Sequence, residues 1–192
     1  MKAYVVDSAA VRGNLQALQA RADSTVFWAV LKGDGYGLGL LPMAAICREA
    51  GVDHFAVTEV QEVRALRENG FSDAQILMLR PTAEQDELTQ LLQLNAILTV
   101  SSQNDATVLN GLAEKLGVQA QVHVKIDTGM GRYGFLPDEM DQLISIFKYM
   151  DHLHVTGIYT HLHSAFCNKN ATLAQAEAFQ SVLDRLHAEG CE

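Results

Sequence analysis

Short apolar runs alternate with amphipathic helical segments along the whole chain, and this alternation restricts the fold more than any other feature. Six runs, rich in β-branched and aromatic side chains, read as buried strands. They are residues 26–31, 55–58, 75–79, 96–100, 121–126 and 153–159. No two-residue hairpin signal joins one run to the next. Strands connected through helices pair in parallel by right-handed crossovers, so the sequence predicts an α/β fold of six strand–helix units.

A helical pattern follows each run, and most of these segments end at a glycine, as helices commonly do. The predicted helices are residues 40–50, 60–69, 83–94, a segment capped by Ser102 or Asn104 that runs to 116, 138–150 and 171–188. A further helix precedes the first run, capped by Asp7 or Ser8 and carrying Val11, Leu15 and Leu18 on one face.

Two architectures satisfy this pattern, a doubly wound open sheet and a barrel with helices outside. Chemically distinctive residues follow several successive runs, namely Lys32, the stretch 127–132 and His161. A barrel places functional residues after many of its strands, whereas an open sheet concentrates them at one switch point. The interpretation is therefore a TIM-type (β/α) barrel with parallel strands inside. About six of eight units are present, because a full barrel needs roughly 250 residues and this chain has 192. Either residues 1–192 are an incomplete N-terminal barrel domain of a longer protein, which we favour, or a partner closes a partial barrel.

Charge and composition argue against nucleic acid and membrane as partners. The net charge of −9 argues against nucleic acid, and no apolar stretch reaches the roughly 18 residues of a membrane span. We expect a cytoplasmic protein, because the N-terminus lacks the apolar segment of a signal peptide. The three cysteines are odd in number and far apart, which fits neither a disulfide framework nor a metal site. His161 and His163 have no third ligand in a matching context, so we predict no metal.

Lys32 is the first residue after an apolar run, and four glycines alternate with other residues directly behind it. A lysine held near apolar walls has a lowered pKa and supplies an amine that can condense with a carbonyl. Taken alone, this stretch is equally compatible with a glycine-rich loop that carries a solvated lysine. The glycines do not form a P-loop, because the lysine of that motif follows its glycines.

A second glycine-rich loop follows the fifth run and contains Arg132, whose guanidinium suits a carboxylate or phenolate oxygen. Lys125 lies near the end of the same run; inside a barrel its charge would need a partner or a modification, and outside it would be solvated. On the sixth run, Tyr159 and His161 share one side of the strand. That imidazole could stack on a planar cofactor, or it could be a core histidine.

Taken together, three stretches resemble the alanine racemase family. Residues 32–39 (KGDGYGLG) resemble its pyridoxal-phosphate lysine motif, residues 125–134 (KIDTGMGRYG) are similar to its arginine loop, and residues 159–161 (YTH) look like its histidine strand. The similarity covers essentially the whole chain as the first six units of the family's barrel.

The resemblance implies a role for each matching residue. Lys32 would hold pyridoxal 5'-phosphate as a Schiff base and serve as base at one face of the substrate α-carbon. Tyr36 would bind the cofactor phosphate, and His161 would lie against the pyridine ring with Tyr159 positioning nearby groups.

Arg132 would contact the cofactor phenolic oxygen and the substrate carboxylate. Lys125 matches a lysine that is often carbamylated in the family, which would turn its positive charge into a negative one able to pair with Arg132. The implied reaction is the interconversion of L- and D-alanine for peptidoglycan synthesis in a bacterium, by a homodimer.

The chain departs from the family's usual motif at Asp34, Leu38 and Tyr133, where asparagine, histidine and an aliphatic residue are common. These departures leave a racemase for serine or another amino acid open. A non-catalytic pyridoxal-phosphate carrier and an interaction domain without cofactor are also compatible with the sequence. The family's second catalytic tyrosine and C-terminal β-domain would lie beyond residue 192, so we expect these residues alone to racemise poorly.

Overall fold

The computed structural model describes residues 4–23 and 25–191. The chain forms two compact units, the first comprising the chain up to Arg80 with Gln93–Ala96, the second comprising Pro81–Leu92 and the chain from Ile97 onward. The elements of the first unit are α1 (Ser8–Ala22), β1 (Ala29–Val30), the short turn α2 (Lys32–Tyr36), α3 (Leu40–Glu49), β2 (His54–Val57), α4 (Val60–Glu68) and β3 (Gln75–Met78). Those that follow are α5 (Gln85–Gln93), β4 (Ile97–Val100), α6 (Gln103–Leu116), β5 (Ala120–Lys125), α7 (Met140–Tyr149), β6 (Leu153–Tyr159) and α8 (Lys169–Ala188).

Parallel pairing joins the three strands of the first unit. Ala29 and Val30 pair with Phe55 and Ala56, and the four residues of β2 pair with those of β3 in register. Three of the four residues in both β2 and β3 are buried, which is the pattern of strands covered on both faces. Phe55 packs edge-to-face against Phe71 with ring centroids 5.5 Å apart. Burying side chains of this size stabilises the unit by about 1.5–3 kcal/mol each.

The second unit repeats this construction with β4, β5 and β6. Leu98 pairs with Val122, Ala120 pairs with Leu153, and Lys125 pairs with Tyr159, all in parallel. The pairing of β5 with β6 shifts register between Val122 and His123, so the second half of β5 is displaced along β6 relative to the first half. Such a shift changes which side chains face each other near the carboxyl ends of the strands.

The predicted six parallel strands, each followed by helix, are confirmed. Most boundaries agree within two residues, and β6 agrees at both ends. The first strand is shorter than predicted, because only Ala29 and Val30 find partners in β2, while Val26 is exposed. Asp7 caps α1 as expected and accepts from two backbone N–H groups. Of the three residues predicted to share one face of that helix, Leu15 is buried, Val11 is half-buried and Leu18 is half exposed.

Among the helices in residues 4–23 and 25–191, none combines the length and the apolar character needed to cross a bilayer.

Candidate functional site

Lys32 begins a left-handed turn directly after β1. This lysine turn, residues 32–39, has positive φ at Gly33, Asp34, Gly35 and Tyr36 in succession. The turn closes through backbone bonds, from the Gly35 N–H to the Leu31 carbonyl at 2.8 Å and from the Gly37 N–H to the Gly33 carbonyl at 2.9 Å. Left-handed backbone costs an ordinary residue about 1–2 kcal/mol, so this turn needs glycines at most of its positions. The alternating glycines seen in the sequence therefore encode a left-handed turn that carries the half-buried Lys32.

Asp34 tolerates the left-handed conformation because its side chain makes a local bond. Its carboxylate accepts from the backbone N–H of Leu40 at 2.8 Å, which places the carboxylate at the first residue of α3. Aspartate and asparagine are the ordinary residues that most readily adopt this backbone, through such bonds. One side chain thus links the turn to the helix that follows it.

Glu62, on the first turn of α4, fixes the lysine turn from outside. One of its carboxylate oxygens accepts from the backbone N–H of Asp34 at 2.9 Å, and the other accepts from those of Thr58 and Glu59 at 3.0 and 3.1 Å. Glu62 is only 9% exposed. Both oxygens of this buried carboxylate accept backbone bonds, and removing it would leave the three donors without that acceptor. The lysine turn is therefore tied to the carboxyl end of β2.

Asp127 organises the second candidate loop, the arginine loop, residues 127–134. One carboxylate oxygen accepts from the N–H groups of Gly129 and Gly131 at 3.0 and 3.1 Å, and the other accepts from the N–H of Arg132 at 3.0 Å. Burial alone would raise the pKa of Asp127, but these bonds, with one from the Met130 backbone, outweigh it and lower the pKa below its ordinary value. The loop is thus wrapped around the carboxylate that begins it, and the Arg132 side chain lies exposed.

Lys125 is buried, which decides between the two positions that the sequence left open. Its ammonium donates to the backbone carbonyls of Arg132 at 2.7 Å and Tyr133 at 2.6 Å. Burial lowers the pKa of Lys125; the carboxylate of Asp127 opposes the shift and the charge of Arg132 adds to it. Lys125 thus ties the arginine loop to the end of β5 through two backbone carbonyls.

Gly134 lets the arginine loop return against its own strand. The N–H of Phe135 donates to the carbonyl of Lys125, and the N–H of Asp127 donates to the carbonyl of Phe135, at 2.9 and 2.8 Å. A Cβ on Gly134 would stand 2.7 Å from the Asp127 nitrogen. No side chain fits at this position without moving the backbone.

Tyr159 lies half-buried at the end of β6, where its hydroxyl is 2.9 Å from the Thr99 hydroxyl. Burial raises the pKa of Tyr159 to about 12, so the phenol stays protonated near neutral pH. The ring of His123 lies close to Tyr159, 6.4 Å between centroids, and occupies space that any side chain at Gly157 would fill. Burial lowers the pKa of His123, so it is neutral near neutral pH.

Within each unit the predicted site residues fall on connected segments. Lys32 and Tyr36 share the lysine turn of the first unit. In the second unit, Lys125 contacts the backbone of Arg132, and Tyr159 pairs with Lys125 across β5 and β6.

Sequence reasoning missed the residues that hold these segments. Asp127 carried a usable signal, because an aspartate directly before a glycine-rich loop often bonds its own backbone. Glu62 also carried one, since a glutamate three residues after a helix cap commonly bonds backbone N–H groups. Gln175, a buried residue of α8 whose amide bonds Thr128 and the His161 carbonyl, carried no such signal.

Comparison with known proteins identifies relatives along nearly the full chain. The family model "Alanine racemase, N-terminal domain" matches residues 6–192. The alanine racemase of Symbiobacterium thermophilum is 38% identical over 189 residues, which is 96% of this chain and 49% of that protein. The alanine racemase of Methanococcus maripaludis is 32% identical over 190 residues, 97% of this chain and 50% of that protein. The chain thus spans about half the length of these relatives.

Solved structures give the same result for the fold. Alanine racemase of Clostridium difficile 630 in complex with cycloserine matches with a TM-score of 0.88 and 31% identity, covering 95% of this chain and 50% of that one. Alanine racemase of Streptomyces coelicolor A3(2) matches with a TM-score of 0.86 and 28% identity, covering 97% and 51%. The predicted TIM-type α/β fold class and the sequence resemblance are both confirmed.

Proposed function

We propose, from the premise that this chain belongs to the alanine racemase N-terminal domain family, that it is the pyridoxal-phosphate-binding part of an enzyme interconverting L- and D-alanine. The observation that carries the proposal is the position of Lys32. It follows a parallel strand directly, in a left-handed turn whose backbone Glu62 and Asp34 hold in place. A fixed amine at the carboxyl end of a strand suits covalent attachment of an aldehyde.

The residues present fit pyridoxal 5'-phosphate by their chemistry. Lys32 would hold the cofactor covalently, and the exposed Tyr36 hydroxyl, on the same turn, would donate to its phosphate. The family resemblance assigns contact with the phenolic oxygen to Arg132 and contact with the ring to His161, and both side chains are exposed. When bound, the cofactor supplies the electron sink that makes the α-proton of an amino acid removable.

Side chains of this protein would carry out proton transfer and substrate orientation. Lys32 Nζ takes the α-proton of one enantiomer at one face of the α-carbon, and for the other enantiomer it delivers a proton to that same face, as a general base and acid. Inversion also requires a second group that delivers or takes the proton at the opposite face. The Arg132 guanidinium orients the substrate through paired bonds to its carboxylate, since Asp127 and Lys125 fix the backbone of that residue. Tyr159 is protonated near neutral pH, and burial raises its pKa further, to about 12, so it can donate a hydrogen bond but does not serve as a base there.

Lys125 is the candidate for carbamylation. The reaction joins the neutral amine to carbon dioxide and releases one proton, so a lowered pKa favours it. The carbamate nitrogen retains one N–H, and one of the two bonds to the carbonyls of Arg132 and Tyr133 would be lost. Exposure of the full-length protein to ¹³C-labelled bicarbonate should give a carbamate NMR signal that Lys125→Met removes. A signal that persists in this variant would exclude the assignment.

The racemase proposal is tested with the full-length protein incubated with pyridoxal 5'-phosphate. Borohydride should fix the pyridoxal group onto Lys32, identified by peptide mapping, and L-alanine in D₂O should give D-alanine deuterated at the α-carbon. Lys32→Ala should abolish both results, while Lys115→Ala, an exposed lysine on α6, should leave both unchanged. Labelling of another lysine would contradict the assignment of Lys32.

Arg132→Ala separates a racemase from a cofactor carrier. A racemase should lose at least about 100-fold in turnover, as expected for a lost substrate-positioning group, while retaining most of the bound cofactor. Arg21→Ala, exposed on α1, is the matched control. Equal loss of turnover and of cofactor in Arg132→Ala would favour the carrier.

A further inference from the structure

Gln175 is a buried polar residue on α8 that none of the functional assignments above uses. Its side chain is 3% exposed, and every polar atom it carries is bonded. The amide nitrogen donates to the Thr128 hydroxyl at 3.1 Å and to the His161 carbonyl at 3.2 Å, and the amide oxygen accepts from the His163 N–H at 3.1 Å. The reversed amide would place its oxygen against the His161 carbonyl and its nitrogen against an N–H, so only one orientation satisfies all partners.

Further hydrogen bonds continue from Gln175, and in each of them the donor is the residue nearer to Gln175. The Thr160 hydroxyl donates to the Ile126 carbonyl at 2.9 Å, which uses its only proton. The Thr128 hydroxyl, 2.8 Å from Thr160, must therefore donate to it. Thr128 can then only accept from Gln175, as observed. The chain of donors runs from Gln175 through two threonines to the end of β5.

This chain of bonds joins the two segments of the second unit that carry site residues. Thr128 belongs to the arginine loop, four residues before Arg132, and Thr160 and His161 follow β6 directly. Gly129 also packs on Gln175, since a Cβ at that glycine would be 3.7 Å from the glutamine side chain. The Gln175 amide, together with the Thr128–Thr160 bond, therefore sets the spacing between the arginine loop and the backbone at His161.

We infer that Gln175 is a positioning residue for the proposed racemase, one that holds Arg132 and His161 at a fixed separation through Thr128 and the His161 carbonyl. The inference rests on the proposed function for its catalytic meaning. Its structural content, the coupling of two loops through one amide, is measurable independently. A displacement of a substrate-binding group by about 1 Å costs on the order of 100-fold in rate.

The test compares Gln175→Met, which keeps the length and loses all three bonds, with Gln180→Met as control. Gln180 is exposed on the same helix and bonds only Asp184 among the described residues. In the full-length protein, Gln175→Met should lower kcat/KM about 10- to 100-fold, and Gln180→Met should leave it unchanged. In an Arg132→Lys background, the same change at Gln175 should lower kcat/KM less than about 3-fold, because residues acting as a unit are not additive. Equal losses in both backgrounds would overturn the inference and assign Gln175 to stability alone.

Hydrogen exchange gives a second readout that does not depend on catalysis. The amides of Gly129, Gly131 and His163 should exchange at least about 10-fold faster in Gln175→Met, as expected for lost local protection. Unchanged rates would overturn the inference, whereas a wild-type protein without racemase activity would overturn only the proposed function. Should Gln175→Met fail to fold, Thr128→Val breaks the same chain of bonds at its centre. It should show the same non-additivity with Arg132, with a smaller loss of about 3- to 10-fold.

Discussion

The lysine turn and the arginine loop are both held in shape by a carboxylate, but the carboxylate comes from a different place in the chain in each case. Both carry a cationic residue on glycine-rich backbone after a parallel strand, and both depend on a carboxylate that accepts several backbone N–H groups. In the first unit that carboxylate is Glu62, 28 residues from the N–H of Asp34 that it binds. In the second it is Asp127, which begins the loop it holds.

This difference determines what each loop depends on. The lysine turn requires α4 to be in place, so its geometry depends on packing in the first unit. The arginine loop folds around its own first residue, and Lys125 and Gln175 then fix it to the strand and to α8. A locally organised loop should respond most to changes in its own backbone, and a remotely organised one to changes in its distant anchor.

Gly134→Ala should have the largest effect. The new methyl group would stand 2.7 Å from the Asp127 nitrogen, at a φ of +120° that alanine avoids, and would break the backbone bonds around Phe135. Strain and lost hydrogen bonds together should cost roughly 3–5 kcal/mol of unfolding free energy. Thermal unfolding of the full-length protein measures the loss. Gly131→Ala is the control within the loop, because it meets no atom within 4 Å and should cost only about 1–2 kcal/mol for its left-handed backbone. Equal losses would show that the close return at Gly134 is unimportant.

Glu62→Ala should have the next largest effect and should act on the other loop. It leaves three backbone N–H groups at Asp34, Thr58 and Glu59 without their acceptor. The expected cost is about 2–3 kcal/mol, seen as faster hydrogen exchange at Asp34 and Thr58. Glu68→Ala, exposed on the same helix and 3.9 Å from Arg64, should cost less than about 0.5 kcal/mol. Protection at Asp34 that survives the loss of Glu62 would show that the lysine turn, too, is organised locally.

The sequence predicted the fold because strand and helix periodicity are local patterns. It also located both loops, since lysine, arginine and glycine residues stand out after apolar runs. It did not predict the left-handed turn at residues 33–36, because Asp34 and Tyr36 adopt a conformation rare for non-glycine residues and stable only with its partners in place. Two bonds were missed for a related reason, the one from the Asp34 N–H to Glu62 and the one from Gln175 to Thr128. They span 28 and 47 residues of the chain, and no periodic pattern records a contact of that span.

Asp127→Asn should give the smallest effect and the one most dependent on pH. The folded pKa of Asp127 lies below its ordinary value of 3.8, so the carboxylate contributes stability that is fully present above that pH and is lost as pH falls through the folded pKa. Asparagine keeps an acceptor oxygen without the charge, and should weaken the arginine loop by about 1–2 kcal/mol at neutral pH.

The opening free energy, measured by exchange at Gly129 and Gly131, should differ between wild type and Asp127→Asn at neutral pH. The difference should shrink as pH falls below 3.8, because the wild-type carboxylate then becomes protonated and, like the asparagine, carries no charge. Asp151→Asn, an exposed aspartate before β6, should show no such dependence. A difference independent of pH would mean that the shape of the Asp127 side chain, and not its charge, organises the loop. The lysine turn and the arginine loop would then differ only in how far along the chain the anchoring residue lies, 28 residues from Asp34 for Glu62 and within the loop for Asp127.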